Sequence, residues 1–269
     1  MEITPYIKRL LISHITSLSL AQLLAEGDLR LSEEQQAWYD KAIARLQNSE
    51  PIQHILGYTT FYGRQFKCDR RALIPRPETE ELVDWIVSNW STVNSQQSTV
   101  KILEIGTGTG CIALSLAKEL PEAKVSALDI SKEALSLARE NANILEVKNV
   151  DFIEGDILNK SFNSQLSTFN LIVSNPPYVR ECEKANMEPN VLDYDPHTAL
   201  FVSDEDPLIF YRAIAEFALT HLAPNGALYF EINQYLGRET CDLLIALGYK
   251  NVELRKDIND NPRMIKATL

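Results

Sequence analysis

The chain has 269 residues, 45% hydrophobic and 8% aromatic, which is enough for one well-buried core and a small accessory domain. A formal net charge of −11 argues against a sequence-independent grip on a phosphate backbone, which rests on Lys and Arg, so no direct nucleic-acid binding is expected. No apolar run is long enough to span a bilayer, and the first residues do not combine a basic head, an apolar stretch and a cleavage site. The expectation is a cytoplasmic protein that avoids membranes.

From Met1 to about Ser49 the pattern is helical. Ile7, Leu10, Leu11 and Ile15 recur at helical spacing, Ser32 followed by Glu33 and Glu34 marks a second start, and the helix through Trp38, Ile43 and Leu46 ends before Pro51. Tyr58 to Asp69 alternate in polarity around Gly63-Arg64, which fits a hairpin. Pro75-Arg76-Pro77 then opens a helix with Glu78, Glu80 and Glu81 in its first turn. Ser91 to Thr99 lack apolar periodicity and read as a surface loop.

From Val100 onward short apolar strands, near 100–105, 124–129, 149–153, 169–174 and 225–232, alternate with helices. This predicts an α/β, doubly wound, largely parallel sheet. Asn251 to Lys256 and Met264 to Leu269 flank a turn-like Asp257 to Pro262 and predict an antiparallel hairpin at the end. A parallel sheet closed by a late antiparallel strand resembles the Rossmann-like class I methyltransferases.

The strand Val100 to Ile105 runs into Gly106-Thr107-Gly108-Thr109-Gly110 and then an apolar helix, Cys111 to Leu120. The dinucleotide fingerprint would need glycine at Cys111, and the phosphate loop would need Gly-Lys-Ser/Thr, so neither ligand is indicated. Asp129 ends the next strand, where a carboxylate beside the glycine turn can accept both hydroxyls of a ribose. Glu104 falls near the ligand's amino-acid end. Asp156 follows the third strand, placed to meet an adenine amino group, with Ile157 as an apolar neighbour. Acids without a phosphate cradle suit a positively charged sulfonium nucleoside, S-adenosyl-L-methionine.

The fourth strand runs into Asn175-Pro176-Pro177-Tyr178 at the same sheet edge. An amide or exocyclic amine nitrogen is a poor nucleophile because its lone pair is delocalised. Hydrogen bonds accepted from both of its N–H groups, by the Asn175 side-chain oxygen and the Pro176 carbonyl, can turn that lone pair toward a methyl group. Neither proline offers a competing backbone donor, and Tyr178 would stack on the flat acceptor. On these residues a glutamine amide and the amino group of adenine or cytosine are equally good acceptors.

Further residues separate them. Pro51-Ile52-Gln53-His54-Ile55-Leu56-Gly57, Phe61-Tyr62-Gly63, Leu73 to Glu80, Glu104 to Gly110, Asn175 to Tyr178 and Tyr194-Asp195-Pro196 with Ala199-Leu200 together resemble the PrmC/HemK family, the N5-glutamine methyltransferases of peptide chain release factors. The likeness covers nearly the whole chain. It implies methylation of the glutamine in the Gly-Gly-Gln motif of class I release factors, with Gly106 to Gly110, Asp129 and Asn175 on the cofactor and Asn175 to Tyr178 on the glutamine. The family often has Glu at Asp195 and Asp at Glu104, and some relatives carry an aromatic residue at Ile157. The implied organisation is a helical substrate-docking domain over 1–50, a linker with the hairpin over 51–75, and the methyltransferase domain over 76–269, expected as a monomer.

The alternative is a DNA or RNA adenine-N6 methyltransferase, which would share Asn-Pro-Pro-Tyr but must capture a base; the acidic balance and the lack of a basic recognition segment oppose it. A third reading is a binding module that keeps the fold without the reaction. Cys68, Cys111, Cys182 and Cys241 are scattered singly and read as reduced thiols, with no metal site predicted. His54 reads as a structural hydrogen-bonding residue, His197 shows no partner, and Arg76 and Glu78 either close over the site or cap the hinge helix.

Overall fold

The computed structural model describes residues 3–25, 29–93, 100–159 and 166–269, apart from the side chains of 91–93. Parts of two predicted segments, residues 1–2 and 26–28 of the helical stretch and 94–99 of the loop, lie outside the described residues.

Helix α1 (Pro5–Thr16) starts where Thr4 Oγ1 accepts the Ile7 N–H at 3.3 Å, with Pro5 at a position whose N–H has no helical partner anyway. After α2 (Leu20–Ala25), α3 (Glu33–Gln47) opens on a capping box: Ser32 Oγ accepts from the Gln35 N–H and Gln35 Oε1 accepts from the Ser32 N–H. Their apolar faces meet the short α4 (Ile52–Leu56) around Leu11, Ala42, Leu46 and Ile55.

The predicted hairpin forms as β1 (Tyr58–Phe61) and β2 (Arg64–Lys67), but its turn is Tyr62-Gly63, one residue earlier than the alternation suggested. Both turn residues have positive φ, 47° and 70°, the backbone that matches the twist of a two-residue hairpin. Asn141 docks the hairpin onto the core: its Oδ1 accepts the Lys67 N–H at 2.7 Å, and its Nδ2 donates to the carbonyls of Lys67 and Thr109. Helix α5 (Pro77–Val93) carries Glu78 and Glu80 in its first turn, with Glu81 beyond it. It continues through Ser91–Val93, which were expected in a loop, because backbone hydrogen bonds can carry a helix one turn past the end of its apolar periodicity.

The core elements follow as β3 (Lys101–Ile105), α6 (Cys111–Glu119), β4 (Lys124–Asp129), α7 (Lys132–Ile144), β5 (Val150–Glu154) and β6 (Phe169–Ser174). A small parallel pair, β7 (Val179–Arg180) and β8 (Phe201–Val202), brackets the acceptor-side loop. β9 (Leu222–Glu231), β10 (Lys250–Lys256) and β11 (Pro262–Thr268) complete a seven-stranded sheet ordered β10-β11-β9-β6-β3-β4-β5. The central strands pair in parallel, while β11 runs antiparallel to both β9 and β10, so the predicted mostly parallel sheet with a final antiparallel hairpin is the one that forms. β10, one of the two edge strands, has two breaks in its register and is almost fully exposed.

Alternation along the strands sends Ile102, Val125, Leu171 and Tyr229 to one face under α5 and α6. Leu103, Leu128, Ile172, Phe230 and Ile265 go to the other, under the helices Ile209–His221 and Gly237–Ala246. The result is a three-layer sandwich whose parallel strands end along one rim. All four cysteines are free thiols, and burial pushes that of Cys68 up to about 12. Among the described residues, no helix is long and apolar enough to cross a membrane.

Candidate active site

After β3 the chain moves to β4 on one side, and β6 later adds on the other, so a crevice opens at the C-terminal ends of β3 and β6. The two motifs meet there. A Cβ built on Gly106 would lie 3.9 Å from the Asn175 main-chain oxygen, and the glycine turn has φ of 76°, 53° and 82° at Gly106, Gly108 and Gly110. Four of the turn's amides are already engaged within the fold. Gly106 and Thr107 N–H both donate to Leu128 O, Gly108 N–H donates to Asp129 Oδ2 at 2.8 Å, and Gly110 N–H donates to Thr107 O. A phosphate cradle needs those donors free, so the turn suits a ligand without phosphate.

Asp129 caps β4, its Oδ1 accepting the Ser131 N–H at 2.9 Å, and burial pushes its carboxyl above the usual range against the pull of these bonds. Each oxygen keeps a lone pair for a ribose hydroxyl. Glu104 lies deep beneath the turn, at 1% exposure. Its Oε2 accepts from the Thr107 hydroxyl and from the Ala113 N–H, so it braces the turn against the first turn of α6. Asp156 follows β5, with Oδ1 accepting the Leu158 N–H at 2.9 Å, and Ile157 is buried in the apolar cluster with Leu103, Ile105 and Leu128. An acid-rich pocket with no cation in the glycine turn fits a sulfonium nucleoside.

Burial also raises the Glu104 carboxyl to about 8. The unfolded chain loses this proton near the ordinary value of 4.5, so the contribution of Glu104 to stability is full below that pH and is lost as pH rises toward 8. Thermal melts at pH 5, 6.5 and 8 are therefore expected to fall for the wild type and to fall less for Glu104→Gln. Parallel curves for the two proteins would contradict the assignment.

On the acceptor side, Pro176 is buried and Asn175, Pro177 and Tyr178 are half-buried. Asn175 Nδ2 donates to Thr79 Oγ1 at 3.4 Å, and the Thr79 hydroxyl donates to Glu231 Oε2 at 2.6 Å. The Tyr178 hydroxyl donates to Glu231 Oε1 at 3.1 Å, and burial beside that carboxylate pushes its phenol far up. Asn233 Nδ2 donates to Tyr178 O at 2.9 Å, holding the end of the tetrapeptide. Thr79, Glu231 and Asn233 were not singled out from the sequence. A signal for one existed: Glu231 is a lone carboxylate ending an apolar strand, as Asp129 is.

The loop beyond Tyr178 is latched to the hinge. Arg76 pairs with Asp195 at 2.7 Å, and Asp195 Oδ1 accepts the Ile74 N–H at 3.3 Å, so Arg76 secures the loop. The neighbouring Tyr194 hydroxyl donates to Asn48 O, and the Arg70 guanidinium lies 4.4 Å from its ring centre. His197, expected without a partner, places Nε2 2.9 Å from Leu192 O. His54, expected to hydrogen-bond, is buried with neither ring nitrogen paired among the described residues. Burial lowers its pKa, because a dry site favours the neutral ring.

Two protein families match separate parts of the chain. The methyltransferase domain family matches residues 96–268, and the PrmC N-terminal domain family matches residues 7–57. A release factor glutamine methyltransferase from Flavobacterium psychrophilum is 50% identical over 93% of this chain and 86% of its own length. The chain belongs to the release factor glutamine methyltransferases. The fold extends further than this family. A methyltransferase from Pyrococcus furiosus shares it at TM-score 0.54 and 21% identity, covering 88% of this chain and 98% of that one. So does the hMettl16 catalytic domain, solved with the MAT2A 3'UTR hairpin 6, at TM-score 0.58 and 14% identity over 90% and 84% of the two chains. Likeness at those identities is one of fold, and fold alone does not choose an acceptor. The likeness to release factor glutamine methyltransferases spans nearly the whole chain, including the helical N-terminal segment.

Proposed function

We propose that this protein transfers a methyl group from S-adenosyl-L-methionine to the side-chain amide nitrogen (N5) of the glutamine in the Gly-Gly-Gln motif of class I peptide chain release factors, leaving S-adenosyl-L-homocysteine. The observation that carries this reading is the meeting of Asn175-Pro176-Pro177-Tyr178 with the glycine turn at the β3/β6 crevice, with the Asn175 NH2 engaged by Thr79. That arrangement leaves the Asn175 side-chain oxygen to accept from the acceptor nitrogen.

When bound, S-adenosyl-L-methionine supplies a methyl group on a positively charged sulfur, which departs with the bonding electron pair as a neutral thioether. Asp129 holds the ribose, Gly106 to Gly110 let the backbone pass close, Thr107 and Thr109 line the turn, and Asp156 and Ile157 border the adenine. Asn175 Oδ1 and the Pro176 carbonyl accept the two amide N–H groups and turn the nitrogen lone pair toward the methyl group. Tyr178 lies against the flat amide. No general base is required, because the nitrogen becomes strongly acidic as it gains the methyl group and sheds its proton to water. In this reading residues 1–50 dock the substrate, 51–75 link the two parts and 76–269 carry the reaction, in a cytoplasmic monomer that does not bind nucleic acid directly.

The test is methyl transfer from labelled S-adenosyl-L-methionine to a purified class I release factor, its Gly-Gly-Gln glutamine-to-alanine variant, and duplex DNA, side by side. Label on the native release factor alone is expected. Label on DNA alone would replace this reading with the adenine one.

A further inference from the structure

We propose that the buried carboxylate of Glu231 decides which way round Asn175 presents its amide, acting through the hydroxyl of Thr79, so that the acceptor nitrogen meets oxygen and not NH2. The inference rests on the reading of Asn175 Oδ1 as the group that accepts the acceptor's N–H.

An asparagine side chain has almost the same shape when its O and NH2 are exchanged, so packing alone selects neither orientation. A hydroxyl carries one proton. The Thr79 hydroxyl donates to Glu231 Oε2 at 2.6 Å, so the Thr79 proton is committed there. Thr79 Oγ1 then has only lone pairs to offer Asn175, 3.4 Å away, and those suit NH2 and repel a second oxygen.

The carboxylate is itself fixed. Its other oxygen accepts from Tyr178 at 3.1 Å and the residue is 1% exposed; burial pushes its carboxyl above the usual range, against the pull of the Thr79 hydroxyl, the Arg263 cation and the Tyr178 hydroxyl. Glu231 closes β9, and Thr79 sits in the first turn of α5, so two rigid elements hold the relay at the rim where β6 delivers Asn175. Thr79 and Glu231 touch no reacting atom in this arrangement and are positioning residues.

The experiment compares Thr79→Val, Thr79→Ser and Glu231→Gln with the wild type. Valine keeps the shape of threonine and removes the hydroxyl. Thr79→Val is expected to lower kcat by about tenfold, the value of one well-placed hydrogen bond, with release-factor KM and cofactor Kd within about threefold of wild type. Thr79→Ser should restore kcat to within about threefold. In Glu231→Gln the amide brings a donor to a place built for two acceptors, and kcat should fall by about tenfold or more. A kcat preserved in Thr79→Val, or a loss shared equally with cofactor affinity, overturns the relay. A readout independent of turnover is the nuclear Overhauser contact between the Asn175 NH2 protons and the Thr79 methyl group. Its absence in the wild type overturns the proposed orientation, and its presence upholds it even if no release factor is methylated, an outcome that would count against the substrate assignment only.

Discussion

Asn175→Ala is expected to lower kcat for methyl transfer by about a thousandfold while leaving cofactor affinity within about threefold of wild type. An amide nitrogen attacks only when its lone pair is drawn out of conjugation, and removing the side-chain oxygen deletes one of the two acceptors proposed to do so. The loss falls on the step in which the bond forms, because a glutamine can still enter the crevice. The cofactor side of the crevice is spared for a geometric reason. It is the main-chain oxygen of Asn175 that closes on Gly106, and alanine keeps that oxygen. Single-turnover transfer of labelled methyl groups, set beside calorimetric titration with the cofactor, measures both quantities on one sample. Equal loss of both would show that Asn175 serves binding and not the acceptor.

Asp129→Asn should act on the other half, raising cofactor Kd by about a hundredfold. The carboxylate accepts Gly108 N–H with one oxygen and Ser131 N–H with the other. An amide has a single oxygen, so one of these backbone donors would face NH2 and lose its partner. Hydrogen bonds to charged groups are worth about 1.5–3 kcal/mol each, and a ribose would lose its acceptor along with the turn. Because burial raises the Asp129 carboxyl, wild-type affinity should weaken as pH falls through that raised value, whereas Asp129→Asn should be flat over the same range. Titrations between pH 4.5 and 8 distinguish the two curves.

The parts of the site that were legible in the sequence are those built by short stretches of chain. Gly106 to Gly110 follow an apolar strand directly, Asp129 ends the next one, and Asn175 to Tyr178 end a third, so the parallel topology carries all of them to one rim. The brace behind them was not legible, because its members are brought together only by folding. Thr79 and Glu231 stand 152 positions apart, and Arg76 and Asp195 stand 119 apart. Glu104 was legible as an acid near the turn but not in its depth, since alternation along β3 says which face a residue takes and not what will cover it. The hairpin turn was misplaced by one residue because the pattern placed Gly63 first, whereas Tyr62 accepts a left-handed backbone there, with its hydroxyl 3.4 Å from Asp84 Oδ1.

β10 has a consequence for life at high concentration. An open sheet is vulnerable where its outermost strand offers unpaired backbone groups, since a neighbouring molecule can dock there and extend the ribbon. At one of the two edges of this sheet that strand reads Lys250-Asn251-Val252-Glu253-Leu254-Arg255-Lys256, with charges of both signs along its exposed length and two breaks in its register. A flat, continuous template is therefore missing, and each attempted addition would strip water from lysine, arginine or glutamate. This edge of the sheet is therefore poorly suited to extension by a second copy, and substitutions that replaced these charges with Val or Thr would be the ones to remove that protection.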